Sequence, residues 1–228
     1  MYEYIKDNID EINEKIADAA ARAGRGREDI TLVAVSKTHP PEAIKAAVAF
    51  GMTDIGEARI QEAVPKIESL GNIASWHMIG HLQTNKVKKA VGPFDMIQSV
   101  DSLKLAGEID RRAAQIDKKI HCLIEINAAE EAAKSGISFD EAPELIEKAA
   151  AMDNIELKGI MTIGPLTDGE QLTRRTFRRT RRLFEQEKKI IGDKFDTLSI
   201  GMSDDYETAI EEGSNMVRIG TAIFGRRK

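Results

Sequence analysis

Ile5, Ile9, Ile12 and Ile16 recur every three or four residues with charged residues between them, a period that predicts an amphipathic helix over residues 2–23. Beyond it the pattern shortens. β-rich apolar runs begin near Thr31, Thr53, Ser75, Phe94, Ile120, Ile155, Phe195 and Asn215, and amphipathic helical stretches separate most of them. Strands that alternate with helices must pair in parallel, because each crossover needs a helix to return the chain to the same end of the sheet. Eight such units in 228 residues predict an α/β fold closed into a single (β/α)8 TIM barrel. The chain, 1–228, then reads as one domain, with an N-terminal helix inside 1–23 that braces or covers a barrel over 31–225. The second and fourth runs are short, which keeps a doubly wound open sheet as the alternative. The six prolines are expected near element boundaries, and no repeat or Pro/Gly/Ser-rich linker divides the chain.

The first apolar run, Leu32 to Val35, ends in Ser36-Lys37-Thr38-His39-Pro40-Pro41. Proline fixes φ and lacks an N–H, so the pair at 40 and 41 stops the strand and opens a helix. Lys37 is thereby left at the strand's carboxyl end, where parallel sheets bind ligands. A second signal lies in the last two units. Leu198-Ser199-Ile200-Gly201-Met202-Ser203-Asp204-Asp205 reads as strand, glycine turn and helix start, with Ser203 or Asp204 as N-cap and Asp204 to Glu207 at capping-box spacing. Met216-Val217-Arg218-Ile219-Gly220-Thr221-Ala222 reads as a strand ending in a glycine and a hydroxyl residue, with Arg218 as a fixed cation nearby. In a barrel these are the loops after strands seven and eight, which commonly hold a phosphate through backbone N–H groups. Taken singly, Gly201 and Gly220 also fit tight turns, Ser203 a simple cap, and Lys37 a lysine that snorkels from an apolar strand. The combination carries more, because the two regions meet only if the sheet closes and strand one lies beside strand eight. An amine and a phosphate cradle at one barrel mouth are the equipment for holding pyridoxal 5'-phosphate, whose aldehyde condenses with an ε-amine while its phosphate anchors the other end.

Composition changes this picture only by exclusion. A net charge of −5 argues against nucleic acid or anionic lipid as a partner of the molecule as a whole. No apolar stretch approaches membrane-spanning length and the N-terminus lacks a basic segment followed by an apolar one, so a cytoplasmic protein is expected. The single cysteine, Cys122, sits in the apolar segment Cys122-Leu123-Ile124 and is expected to be a small buried hydrophobe.

Five strings turn the reading toward a family. Val35-Ser36-Lys37-Thr38, Asp54-Ile55-Gly56-Glu57, Trp76-His77-Met78-Ile79-Gly80-His81-Leu82-Gln83-Thr84-Asn85-Lys86, Gly201-Met202-Ser203-Asp204-Asp205 and Val217-Arg218-Ile219-Gly220-Thr221-Ala222-Ile223-Phe224-Gly225 closely resemble the pyridoxal phosphate homeostasis proteins, in order and over essentially the whole chain. The resemblance implies a fold-type III barrel like the N-terminal domain of alanine racemase, with the cofactor held as an internal aldimine on Lys37. By the same resemblance, Ser203 with the backbone of Met202, and Gly220 with Thr221, contact the phosphate, and Arg218 faces the pyridine nitrogen. A guanidinium there disfavours a protonated ring nitrogen and weakens the ring as an electron sink. Two positions depart from the family. His39 stands where many members have a second lysine, and Ala58-Arg59 where Asn and a variable residue are common.

The implied role is storage, buffering or delivery of the cofactor without a committed reaction. Small amines, amino acids or recipient apoenzymes would be its exchange partners, and a monomer is the expected state. The alternative is an amino-acid racemase using the same lysine. Racemisation needs a second acid/base on the opposite face, and the chain's tyrosines, Tyr2, Tyr4 and Tyr206, are not evidently placed for it. A sugar-phosphate isomerase on a similar barrel would leave Lys37 unexplained.

Other candidates are weighed against plainer roles. His77 and His81 fall at and just beyond the end of strand three, where structural or loop roles are favoured because spacing identifies no partner carboxylate. The four histidines and one cysteine lack metal-ligand spacing. Lys134-Ser135-Gly136 resembles a family Lys-x-Gly site, though an exposed loop lysine is the commoner explanation. Glu57 and Glu125, near strand ends, are expected to pair with cations more often than to act as acid or base. Arg174, Arg175, Arg178, Arg179, Arg181 and Arg182 form a basic helical patch above a Phe177 and Phe184 stripe, read as a solvated face and not as an RNA site.

Overall fold

In the computed structural model, described over residues 2–128, 135–165 and 169–225, eight parallel strands close into a barrel in simple sequence order. The strands are β1 (Thr31–Val35), β2 (Asp54–Glu57), β3 (Ser75–Met78), β4 (Met96–Val100), β5 (Ile120–Ile126), β6 (Ile155–Thr162), β7 (Thr197–Ser199) and β8 (Met216–Ile219). Each begins within two residues of its predicted run, and the open-sheet alternative is excluded by the pairing of β1 with β8. The helices are α1 (Glu3–Arg22), α2 (Pro41–Ala49), α3 (Ile60–Leu70), α4 (Val87–Ala90), α5 (Leu103–Ala114), α6 (Ala142–Ala150), α7 (Glu170–Ile191), α8 (Tyr206–Glu211) and α9 (Thr221–Phe224).

Two apolar layers hold the barrel. The larger lies between strands and helices and contains Ile55, Trp76, Ile97, Cys122, Leu198 and Ile219, with the Ile5, Ile9, Ile12 and Ile16 stripe of α1 joined to it. The smaller fills the barrel interior with Val33, Met96, Leu123, Met161 and Met216. Period-two alternation therefore divides each strand between an outer apolar face and an inner face, and the inner face also admits polar groups. Burial pushes the Cys122 thiol well above its ordinary range, as expected of a small core residue.

The helix starts follow local chemistry. Pro40 is the N-cap of α2 and Pro41 its first residue, where the missing N–H costs nothing. Pro65 departs from the expectation that prolines mark boundaries, for it lies inside α3. It removes one helical hydrogen bond, and the helix persists because Ile60, Ala63, Ile67 and Leu70 anchor its buried face on both sides of the proline. No helix among the described residues is long and apolar enough to cross a membrane.

Candidate functional site

Lys37 is exposed immediately past β1, on a turn that the surroundings hold tightly. Ser36, fully buried, donates its N–H to the Gly56 carbonyl at 3.0 Å and its hydroxyl to Glu57 Oε1 at 2.6 Å. Lys66 reaches in from α3 and donates to the same Glu57 oxygen at 2.6 Å and to the Ser36 carbonyl at 3.0 Å. Glu57 is therefore partnered by a cation, as its position predicted, and the pair clamps the residue that precedes Lys37. Thr38 follows with φ +69°, a left-handed conformation that costs a β-branched residue about 1–3 kcal/mol. It is held there by its N–H to Glu62 Oε2 at 3.2 Å and by the His39 N–H to the Ser36 carbonyl at 3.0 Å. The His39 ring stacks on Phe224 of α9 with centroids 5.1 Å apart, tying the first turn to the last.

The last two loops lie beside this turn. β1 pairs with β8 in the register Ala34 to Ile219, so Gly220 follows on the strand adjacent to the one that ends before Lys37. A Cβ on Gly220 would sit 3.1 Å from the Val35 carbonyl oxygen, a tight contact that places the two strand ends side by side. Gly220 is also the N-cap of α9, whose first N–H groups, from Thr221 and Ala222, have no acceptor within that helix. Gly201 turns the chain after β7 with φ +96°, where a Cβ would meet the Ala209 side chain at 2.5 Å. Its carbonyl accepts from the Arg218 N–H at 3.1 Å, which fastens loop seven to β8.

The next turn departs from expectation. Neither Ser203 nor Asp204 caps α8; Asp205 is the N-cap, and its carboxylate folds back to accept the Met202 N–H at 2.6 Å. The Met202 amide is thus engaged by the chain itself. Burial pushes the Asp205 carboxyl up, against the Met202 N–H and Arg218, which pull it down. Ser203 is half-buried and lines an open cleft of about 340 Å³ with Arg22, Arg174 and Glu211.

Arg218 is buried in the barrel and held by three hydrogen bonds, to the Ser199 carbonyl at 2.8 Å, the Ser199 hydroxyl at 2.6 Å and the Thr162 carbonyl at 2.8 Å. Burial lowers its pKa to about 10, with Glu125 and Asp205 opposing the shift, so it remains a cation at neutral pH. Glu125 answers it from β5. It is 4% exposed, its Oε2 has no hydrogen-bond partner among the described residues, and burial together with Asp101 raises its pKa from 4.5 to about 7 despite Arg218.

That shift has a sign that can be measured. A folded-state pKa raised above the unfolded value means that the unfolded chain loses a proton the folded chain keeps. Stability therefore falls as pH rises from about 4.5 to about 7 and then levels. Glu125→Gln removes this dependence, and urea unfolding at pH 5 and pH 8 is expected to show the variant gaining about 3 kcal/mol on the wild type between them. Parallel pH profiles for the two proteins would contradict the assignment.

The remaining candidates sort by position. His77 is the penultimate residue of β3, 2% exposed, with its Nε2 3.0 Å from Asp54 Oδ1, so the neighbouring strand supplies the carboxylate that linear spacing could not reveal. His81 is half-exposed and pairs with Asp101 at 3.3 Å. Arg174 and Arg178 are tied to Glu212 and Arg181 to Glu185, so part of the face read as solvated is engaged in ion pairs. Lys134 falls outside the described residues, and no cluster of metal-binding groups occurs among those described. Sequence reasoning missed Lys66, although a lysine breaking the Ala63, Ile67, Leu70 stripe was its signal. It also missed Gln98, a polar residue midway along the buried strand β4.

Comparisons with known proteins converge on one family. The alanine racemase N-terminal domain model matches residues 8–228. The pyridoxal phosphate homeostasis protein of Aquifex aeolicus is 40% identical over 223 residues, which span 97% of this chain and 98% of that protein. A crystal structure of an unknown protein from Bifidobacterium adolescentis superposes with a TM-score of 0.94 at 36% identity, covering 98% of this chain and 95% of the other. PipY of Synechococcus elongatus, solved with pyridoxal phosphate bound, gives a TM-score of 0.82 at 32% identity, covering 94% of this chain and 100% of PipY.

Proposed function

Because the chain belongs to the pyridoxal phosphate homeostasis family, within the alanine racemase N-terminal domain fold, we propose that it binds pyridoxal 5'-phosphate and stores, buffers or delivers it. The observation that carries this reading is the closure of β1 on β8, which sets an exposed Lys37 beside the glycine-bearing turn at Gly220. When bound, pyridoxal phosphate supplies an aldehyde that condenses reversibly with a primary amine and loses water.

The residues present fit that group. Lys37 offers the amine, and the Ser36, Glu57 and Lys66 clamp fixes the turn from which it projects. The amides of Thr221 and Ala222 at the start of α9, with Ser203 and the turn through Met202, serve the phosphate. Because Asp205 already holds the Met202 N–H, that amide contributes only if the carboxylate moves aside. Arg218, charged and fixed by three hydrogen bonds, suits an unprotonated ring nitrogen and so favours holding the cofactor over carbanion chemistry. Two of the three tyrosines are taken up by the fold: Tyr4 donates to the Phe224 carbonyl at 3.2 Å and Tyr206 is buried in α8.

The test is to load the purified protein with the cofactor, record the visible spectrum, reduce with borohydride and map the modified peptide. A yellow protein with label on the Lys37 peptide is expected. α-Proton exchange of an amino-acid panel in deuterated water should stay at the rate of free cofactor, and rapid exchange with any member would favour the racemase.

A further inference from the structure

A single hydrogen-bonded chain crosses the barrel interior from Arg218 to the opposite face. Arg218 donates to the Ser199 hydroxyl at 2.6 Å, that hydroxyl lies 2.8 Å from Gln98 Oε1, Gln98 Nε2 lies 2.8 Å from His77 Nδ1, and His77 Nε2 lies 3.0 Å from Asp54 Oδ1 and 3.2 Å from the Ser75 hydroxyl. Ser199 and Gln98 are fully buried and His77 nearly so. Asp54 touches a solvent-open cleft at the amino ends of the strands. The groups come from β8, β7, β4, β3 and β2, so only barrel closure brings them together.

The chain has a direction, and it follows from donor counting. A guanidinium has no acceptor, so Arg218 must donate, and the Ser199 oxygen must send its own proton onward. Gln98 Oε1 receives it, which turns the Gln98 amide nitrogen toward His77 and leaves one further amide proton for Met216 Sδ at 3.2 Å. His77 Nδ1 must then accept, so the ring proton sits on Nε2, where the Asp54 carboxylate is the nearer acceptor and the Ser75 hydroxyl oxygen, 3.2 Å away, can share it. A charged His77 would need the Gln98 amide reversed, and Ser199 would then face two donors with no acceptor for its hydroxyl proton. Asp54 fits the terminal acceptor: burial raises its pKa, but hydrogen bonds from His77 and Thr53 outweigh this and hold the carboxyl below its ordinary value.

We propose that Ser199, Gln98 and His77 are positioning residues for Arg218, a relay that sets the orientation of its guanidinium toward the cofactor ring and is in turn held in one proton arrangement by it. The cofactor half of this statement rests on the functional reading above; the relay itself does not.

The test separates the two. Histidine ring-nitrogen spectra of the protein without cofactor, at neutral pH, are expected to show His77 neutral and protonated on Nε2. Ser199→Ala keeps the Arg218 bond to the backbone carbonyl but breaks the relay, and should disturb the His77 ring signals two side chains away. With cofactor, the same variant should shift the visible maximum and weaken binding roughly tenfold, the scale of one hydrogen bond to a charged group. Gln98→Glu offers acceptors on both sides and should convert His77 to its doubly protonated form. A wild-type His77 that is protonated on Nδ1, or ring signals and a bound-cofactor spectrum that ignore Ser199→Ala, would overturn the relay. A wild type that takes up no cofactor would instead sink the functional reading, while the histidine spectra still decide the relay.

Discussion

Lys37→Ala is expected to abolish the yellow band of the loaded protein and reduce borohydride-fixed cofactor to background, while circular dichroism stays that of the wild type. The side chain is exposed beyond the end of β1, so its removal leaves no cavity in the core. Among the described residues, the two nearest candidates are committed elsewhere. Position 39 is a histidine stacked on Phe224, and Lys66 is committed to Glu57 and the Ser36 carbonyl from a nearly buried position. What survives in the variant is non-covalent holding through the turns at 203 and 220–222 and through Arg218, so equilibrium dialysis should detect weak, fully dialysable binding. Covalent label on another lysine of the variant, at wild-type yield, would show that the amine has been misassigned.

The second large effect concerns stability. Lys66→Met leaves the Glu57 carboxylate, whose side chain is 0% exposed, without its cation, and one of its oxygens, Oε2, has no hydrogen-bond partner among the described residues even in the wild type. Removing one partner of a buried pair costs about 3–5 kcal/mol because the remaining charge is stranded in a medium that cannot solvate it. For a chain of this size that corresponds to a melting point lower by roughly 10 °C. Glu57→Leu combined with Lys66→Met should recover much of the loss, since an apolar pair of similar volume needs no solvation. Both changes release the Ser36 carbonyl or hydroxyl, so cofactor capture by Lys37 should slow in the double variant even where stability returns. A Lys66→Met protein within about 1 kcal/mol of the wild type in urea titration would mean that water already serves Glu57.

Much of this architecture is legible in the linear chain because its causes are local. The isoleucine stripe of α1, the apolar runs and the proline pair at 40 and 41 act within a few residues of where they stand, and each strand lies where its run predicts. Lys37, Gly201, Gly220 and Thr221 were identifiable for the same reason, as residues that end strands or turn the chain. What misled were choices between two local options that distant contacts settle. α8 starts after Asp205 and not after Ser203 or Asp204 because residues 202–205 form a turn closed by the Asp205 N–H to the Met202 carbonyl and the Met202 N–H to the Asp205 carboxylate, and Pro65 stays within α3 because the helix's buried face is anchored elsewhere.

Periodicity and backbone stereochemistry need no partner, so they alone set the number and order of the units, the amine at the end of the first strand and the glycine turns of the last two. Only the tertiary structure decided that Lys66 crosses from α3 to hold Glu57, and that Asp54, His77, Gln98, Ser199 and Arg218 form one line. These are pairings between residues far apart in the chain, made obligatory by burial: a polar group inside the barrel must find its partner on whichever strand closure brings opposite it.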